Sequence, residues 1–176
     1  MDVALRLFGT QGILATTTAD VAEAAGVSHG TVFLHFPTRE ALITSVIQTF
    51  GEAVTVRMHQ LSRAGAGLRE TLRSHLARLR EHEAFYTRLV MEGAVLPQEA
   101  RTTQVVIQSA LALHLSEAAD GEGSRIRKIP MHMLFNTWVS LVHYYLANAD
   151  LFAPGGSVLE RRGDELVDTM MGLLRR

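Results

Sequence analysis

Residues 28–31 read Ser-His-Gly-Thr, four residue types suited to recognising a patterned polar surface. A hydroxyl, an imidazole, a glycine that bares the backbone and a threonine methyl can each meet a base edge or a thymine methyl. Ser28 stands where a helix would begin, and backbone N–H groups there attract phosphate. Phe33 and His35 project nearby. Other chemistries find less support. The chain has no cysteine, so thiolate nucleophiles, thiolate metal sites and disulfides are excluded. Gly9-Thr10-Gln11-Gly12 lacks the Lys-Ser/Thr that a phosphate-cradling loop needs, and neither GxSxG nor HExxH occurs. His132 and His143 are eleven residues apart, ~16 Å along a helix, too far to share one metal ion. The sequence points to no enzyme, no cofactor and no metal.

The elements that must position residues 28–31 are helices. Alternating strand patterns are scarce, helical spacing is common, and the four prolines stand where helices start or loops run. About nine helices are expected. The first runs from Asp2 to Thr10 with Leu5 and Phe8 inward, and Gly12 ends it. Thr16, Thr17 or Thr18 caps a second helix over 18–25, and Gly26 stops it. Ser28 caps a third that ends near His35. Phe36-Pro37 breaks the chain, and Thr38 caps a long fourth helix carrying Leu42, Val46, Phe50 and Val54 at i, i+4 spacing. After Ala64-Gly65-Ala66-Gly67, helices are expected over 68–82, 83–94, 98–119, 127–148 and from a Ser157 cap to about 175.

Two short helices around Ala25-Gly26-Val27 have the apolar positions of a packed pair: Val21 and Ala25 before the turn, Val27, Val32 and Phe36 after it. Small Ala22 and Ala24 permit a close crossing. This is the construction of a helix-turn-helix, whose second helix can enter a DNA major groove. Residues 4–46 resemble the N-terminal domain of the TetR/AcrR (tetracycline-repressor) family of transcription regulators. The matching pieces are Ala4-Leu5-Arg6-Leu7-Phe8, Gly12, Thr16-Thr17, Val21 through Ser28, Gly30-Thr31-Val32-Phe33, His35-Phe36-Pro37 and Arg39-Glu40-Ala41-Leu42. The resemblance implies an all-α regulator: a three-helix DNA-binding domain over 1–46, joined by a long helix to a ligand-binding and dimerisation domain over 47–176. It also implies a homodimer on a palindromic double-stranded operator, released by a small-molecule effector. Carried over by position, Thr17 and Thr18 meet phosphate, and Ser28, His29, Gly30 and Thr31 lie in the major groove. Phe33 belongs to the same surface, and His35 and Arg39 touch phosphate.

Two departures bear on that reading. Phe33 stands where the family usually has tyrosine, so one phosphate-binding hydroxyl is missing. The first helix also begins almost at once, without the basic lead-in many members carry, as a late-assigned start would produce. Residues 1–60 hold Arg6, Arg39 and Arg57 against Asp2, Asp20, Glu23, Glu40 and Glu52, or 3 − 5 = −2. DNA affinity draws heavily on phosphate neutralisation, so weak non-specific binding and a shallow salt dependence are expected. The alternative is a helical ligand-binding or interaction dimer with weak or lost DNA binding.

The rest of the chain is read from its pattern. Twelve of the seventeen residues from Met131 to Ala147 are hydrophobic, so that helix must be covered on more than one side. The last helix is similarly broad in its apolar face. Together they are expected to form a four-helix dimer interface through Val142, Tyr145, Leu166, Met170 and Leu173. A pocket for an apolar or amphipathic effector is expected among Phe85, Tyr86, Leu89 and Met91, together with Leu111, His114, Phe135, Trp138 and His143. No apolar run approaches a membrane span, no signal-like block opens the chain, and a cytoplasmic location is expected.

Overall fold

A computed structural model describes residues 1–175. Among these the chain forms ten α-helices, two 3₁₀ turns and one isolated β-bridge. The helices are α1 (Asp2–Gln11), α2 (Thr18–Ala25), α3 (His29–His35), α4 (Arg39–Arg63), α5 (Leu68–Arg80), α6 (Glu83–Glu92), α7 (Gln98–Gly121), α8 (Met131–Ala147), α9 (Ala149–Phe152) and α10 (Val158–Leu174). No helix among the described residues is long and apolar enough to cross a membrane.

The caps form where hydroxyls precede apolar-periodic runs. The Thr17 hydroxyl accepts from the Asp20 N–H at 3.1 Å, and the Asp20 carboxylate accepts from the Thr17 N–H at 2.8 Å. These bonds close a reciprocal box that begins α2. Ser28, Thr38 and Ser157 begin α3, α4 and α10 with a one-way cap, each hydroxyl accepting from the N–H three residues on. Helix α2 ends at Gly26, whose φ of 67° is left-handed.

Two expectations are corrected. The apolar helix expected from residue 127 starts at Met131. Pro130 disfavours the α conformation in the residue before it, so it opens the helix. The preceding strand-like stretch is held instead by Ile126 bridging Arg175, with the Arg127 N–H donating to the Leu174 carbonyl at 2.8 Å. The segment after α8 holds one further turn, α9.

Packing divides the chain into two compact units. Unit 1 comprises Met1–Glu52 and His82–Ile107. Its core holds Leu5 and Phe8 of α1, Val21 of α2, Val32 of α3, Ile43 and Ile47 of α4, and Phe85 of α6. Helix α6 presses on α1 at Gly9, where a β-carbon would stand 2.9 Å from the Phe85 backbone nitrogen. Phe85 stacks on Phe8 at 6.3 Å and meets the ring of Phe50 edge-on at 5.2 Å.

Unit 2 comprises Ala53–Glu81 and the chain from Gln108 onward. Leu68, Leu72, Leu76 and Leu79 put one face of α5 into its core, packed on α10. Arg69–Asp168 and Arg73–Asp164 ion pairs line the exposed edge of that contact. Trp138 of α8 is fully buried, and its indole N–H donates to His75 Nδ1 at 3.1 Å. That bond leaves the proton of neutral His75 on Nε2, which is buried with no hydrogen-bond partner among the described residues. Burial, then the charge of His143, holds the His75 imidazole down at about 4; burial holds His143 at about 4 as well.

An unfolded histidine binds its proton near 6.5, whereas the folded ones resist it until about 4. Stability is therefore complete above pH 6.5 and falls as the pH drops towards 4. His75 contributes up to roughly 3 kcal/mol of that fall. Urea denaturation at stepped pH is expected to show it, and His75→Gln is expected to flatten the profile.

Candidate nucleic-acid interface

Helix α3 contains seven residues, too few to be stable alone. It is held by its Ser28 cap and by one buried side chain, Val32. The turn through Gly26 sets it against α2, with the Val27 N–H bonded to the Ala22 carbonyl at 3.0 Å. His29, Gly30, Thr31, Phe33, Leu34 and His35 are all exposed. One buried residue therefore anchors a helix whose remaining surface is free.

The N-terminal ends of α2 and α3 are tied together. Thr18 Oγ1 and His29 Nε2 lie 3.0 Å apart, and Ser28 and Thr31 pair their hydroxyls at 2.9 Å. Thr18–His29 thus joins the start of α2 to the start of α3, while Ser28–Thr31 and Thr17–Asp20 are bonded within the two helix starts. Both Thr17 bonds hold the Asp20 carboxyl below the usual carboxylate range, the backbone bond more strongly. Gly30 is open: a β-carbon there would meet only Ser28 Oγ, at 3.7 Å. Nothing inside the chain requires glycine at that position.

Arg39 has a different role in the free chain. Its Nε donates to the Thr16 carbonyl at 2.8 Å, and Nη2 donates to the carbonyls of Ile13 and Leu14. It is a strut between the start of α4 and the loop before α2. The same loop is held from its other side by the Leu14 N–H, donating to Glu92 Oε2 at 2.8 Å. The sequence reading missed Leu34, which is 80% exposed on α3; the only signal was its place on the outer face of a very short helix.

The electrostatics are unusual for a nucleic-acid surface. Residues 7–38 contain neither lysine nor arginine. The two helix starts offer four hydroxyls and one imidazole, from Thr17, Thr18, Ser28, Thr31 and His29.

Residues 1–46 match the profile described as bacterial regulatory proteins, tetR family. The match to the tetR family thus lies in residues 1–46, the part of the chain that carries α1, α2, α3 and the start of α4. A curated relative in Bacillus subtilis, the uncharacterized HTH-type transcriptional regulator YuxN, is 24% identical over 142 residues, 77% of this chain and 48% of that protein. The HTH-type transcriptional repressor KstR2 of Rhodococcus jostii is 31% identical over 72 residues, 41% of this chain and 35% of that protein. The chain thus spans about half or less of the length of these curated relatives. Among solved structures, the TetR-family regulator PfmR of Thermus thermophilus shares the fold with a TM-score of 0.76 at 18% identity, covering 98% of this chain and 95% of that one. The ketosteroid transcriptional regulator KstR2 of Mycobacterium tuberculosis gives 0.68 at 17%, covering 99% and 92%.

The other candidates fall in separate places within this tetR fold. Phe85, Tyr86, Leu89 and Met91 belong to unit 1, where Phe85 and Leu89 are core residues and Met91 is exposed. Leu111, His114, Phe135, Trp138 and His143 belong to unit 2. There Leu111, Phe135 and Trp138 are buried, and His114 Nδ1 contacts Glu117 Oε2 at 3.1 Å. None of these five lines the three cavities described in unit 2, the largest of which, about 420 Å³, runs along Ala53, Arg57, Gln60, Ser74 and Arg78. Of the residues expected at a dimer interface, Val142, Leu166 and Met170 are at most 1% exposed and serve the core of unit 2. A side chain already covered has no surface to offer a partner. Tyr145 stacks on Phe152 at 4.1 Å and is partly buried, while Leu173 is exposed.

Arg39→Gln removes three bonds to backbone carbonyls that close the α1–α2 loop. It is expected to destabilise the protein by about 1–2 kcal/mol, read as a lower Tm in the absence of any nucleic acid.

Proposed function

We propose that the chain is a sequence-specific DNA-binding transcriptional regulator, a repressor that holds a palindromic operator as a homodimer and lets it go when a small molecule binds. The observation that carries this is α3: one buried anchor and an uncovered outer face, set by a glycine turn against α2. Residues 1–46 act as the DNA-binding domain and 47–176 as the ligand-binding and dimerisation domain. Ser28, His29, Gly30 and Thr31 enter the major groove with Phe33 beside them. Thr17, Thr18 and His35 meet phosphate, as does Arg39 through what its loop bonds leave over.

Two-fold symmetry sets two copies of α3 roughly 34–36 Å apart, one turn of DNA, and makes the operator palindromic. The dimer face draws on the exposed apolar side chains of α8 and α10, Met133, Tyr144 and Leu173, with Tyr145 at its margin. The buried Val142, Leu166 and Met170 support that face from within. The effector is apolar or amphipathic, and Leu111, His114, Phe135, Trp138 and His143 are its candidate contacts in unit 2. Phe85, Tyr86, Leu89 and Met91 are those in unit 1. Helix α4 is unbroken from Arg39 to Arg63, so it is the element through which an effector would reposition α3. For release, the effector must bind one conformation more tightly than the other. No catalytic role and no cofactor enter this reading. The charge of −2 over residues 1–60 favours a second reading, a ligand-binding or interaction dimer without DNA binding.

Selection of bound duplexes from a random pool, at low and at moderate salt, separates the two. An enriched palindrome is expected; no enrichment at either salt would favour the second reading. Gly30→Ala tests the groove contact independently. Gly30 is the second residue of α3, and alanine there is expected to leave the Tm unchanged or slightly raised while weakening binding to the selected duplex. Undiminished binding would place Gly30 away from the DNA.

A further inference from the structure

Leu34 is the most exposed of the large apolar side chains, at 80%, and its neighbour Phe33 is 57% exposed. At about 100° per residue, Gly30 and Leu34 fall on the side of α3 opposite the buried Val32. They are one turn apart on the outermost face. Gly30 presents bare backbone with open space around it, and Leu34 presents a branched apolar head beyond it. An aliphatic side chain left in water on a helix that otherwise shows only polar groups and one phenyl ring calls for a partner.

The residue types around it narrow what that partner is. Between Thr17 and Phe36 there is no arginine, lysine, asparagine or glutamine. The bidentate contacts that read guanine and adenine are therefore unavailable from α2 and α3. Helix α3 carries no aspartate or glutamate, so an acceptor for the cytosine amino group is missing as well. Thr18, His29, Ser28 and Thr31 are already paired with one another. The apolar feature of the major groove is the thymine C5-methyl.

We propose that Leu34 is a specificity-determining residue that packs on thymine methyl groups, so that the operator is read through methyls more than through hydrogen bonds. The proposal rests on the DNA-binding reading above. It also fits the cation-free stretch over 7–38, because a methyl contact needs no charge.

The test uses a duplex recovered from the random pool by the full chain, prepared once with thymine and once with deoxyuridine in its place. The two differ only in the methyls. Binding to the uracil duplex is expected to weaken about fourfold for each methyl removed beneath Leu34, the contribution of one buried carbon. Uracil placed singly locates the position, and 5-methylcytosine placed there in a duplex carrying cytosine is expected to restore part of the loss. Leu34→Ala changes a side chain in water and is expected to keep the parent Tm. It should bind thymine and uracil duplexes about equally. Equal binding of both duplexes by the parent overturns the proposal, as does an undiminished thymine preference in Leu34→Ala. Failure to bind any duplex overturns the DNA-binding reading itself, and this inference with it.

Discussion

A seven-residue helix cannot hold itself in water, because the cost of its first turn is not recovered over so short a length. Helix α3 exists because Ser28 caps it, Gly26 aims it, and Val32 anchors it against the rest of unit 1. The rest of the core of unit 1 packs behind this anchor. The α1–α6 contact at Gly9, the rings of Phe8, Phe50 and Phe85, and the Arg39 strut together make a rigid base. On that base a helix can leave six of its seven residues uncovered.

In the proposed DNA-binding reading, rigidity stands in for charge. A surface that holds DNA mainly by neutralising phosphates tolerates looseness, because the attraction is long-ranged. A surface made of hydroxyls, imidazoles and apolar groups works only at contact distance. The pairing of Thr18 with His29 and of Ser28 with Thr31 fixes polar groups that would otherwise rotate freely. Unit 2 shows a different economy. It buries a Trp138–His75 pair in which His75 Nε2 is left without a hydrogen-bond partner among the described residues. An unsatisfied buried donor costs stability. Trp138 and His143, both proposed effector contacts, belong to that same region of the core.

Much of the N-terminal fold was legible because its signals are local. Thr17, Ser28, Thr38 and Ser157 are hydroxyls one step before apolar periodicity, and each caps a helix. Gly26 was legible as a turn because a left-handed residue there favours glycine. The start of α8 was misread by four residues because apolar content continues through Ile126 and Ile129, and periodicity does not weigh what Pro130 forbids. Leu34 was passed over because an exposed leucine and a buried one look identical in a list of residues.

The sequence by itself determined the helical class, most helix boundaries and the identity of the turn before α3, because caps, glycine conformations and apolar spacing act within a few residues. The resemblance to the tetR family was also legible, because it lies in one contiguous stretch, residues 1–46. Only the tertiary structure decided which apolar residues face inward. Val142, Leu166 and Met170 proved to be core, Leu34 proved to be surface, and Arg39 proved to brace a loop. Those outcomes depend on what the chain brings from far away to each side chain. Burial is a property of neighbours, and distant neighbours are not written beside a residue.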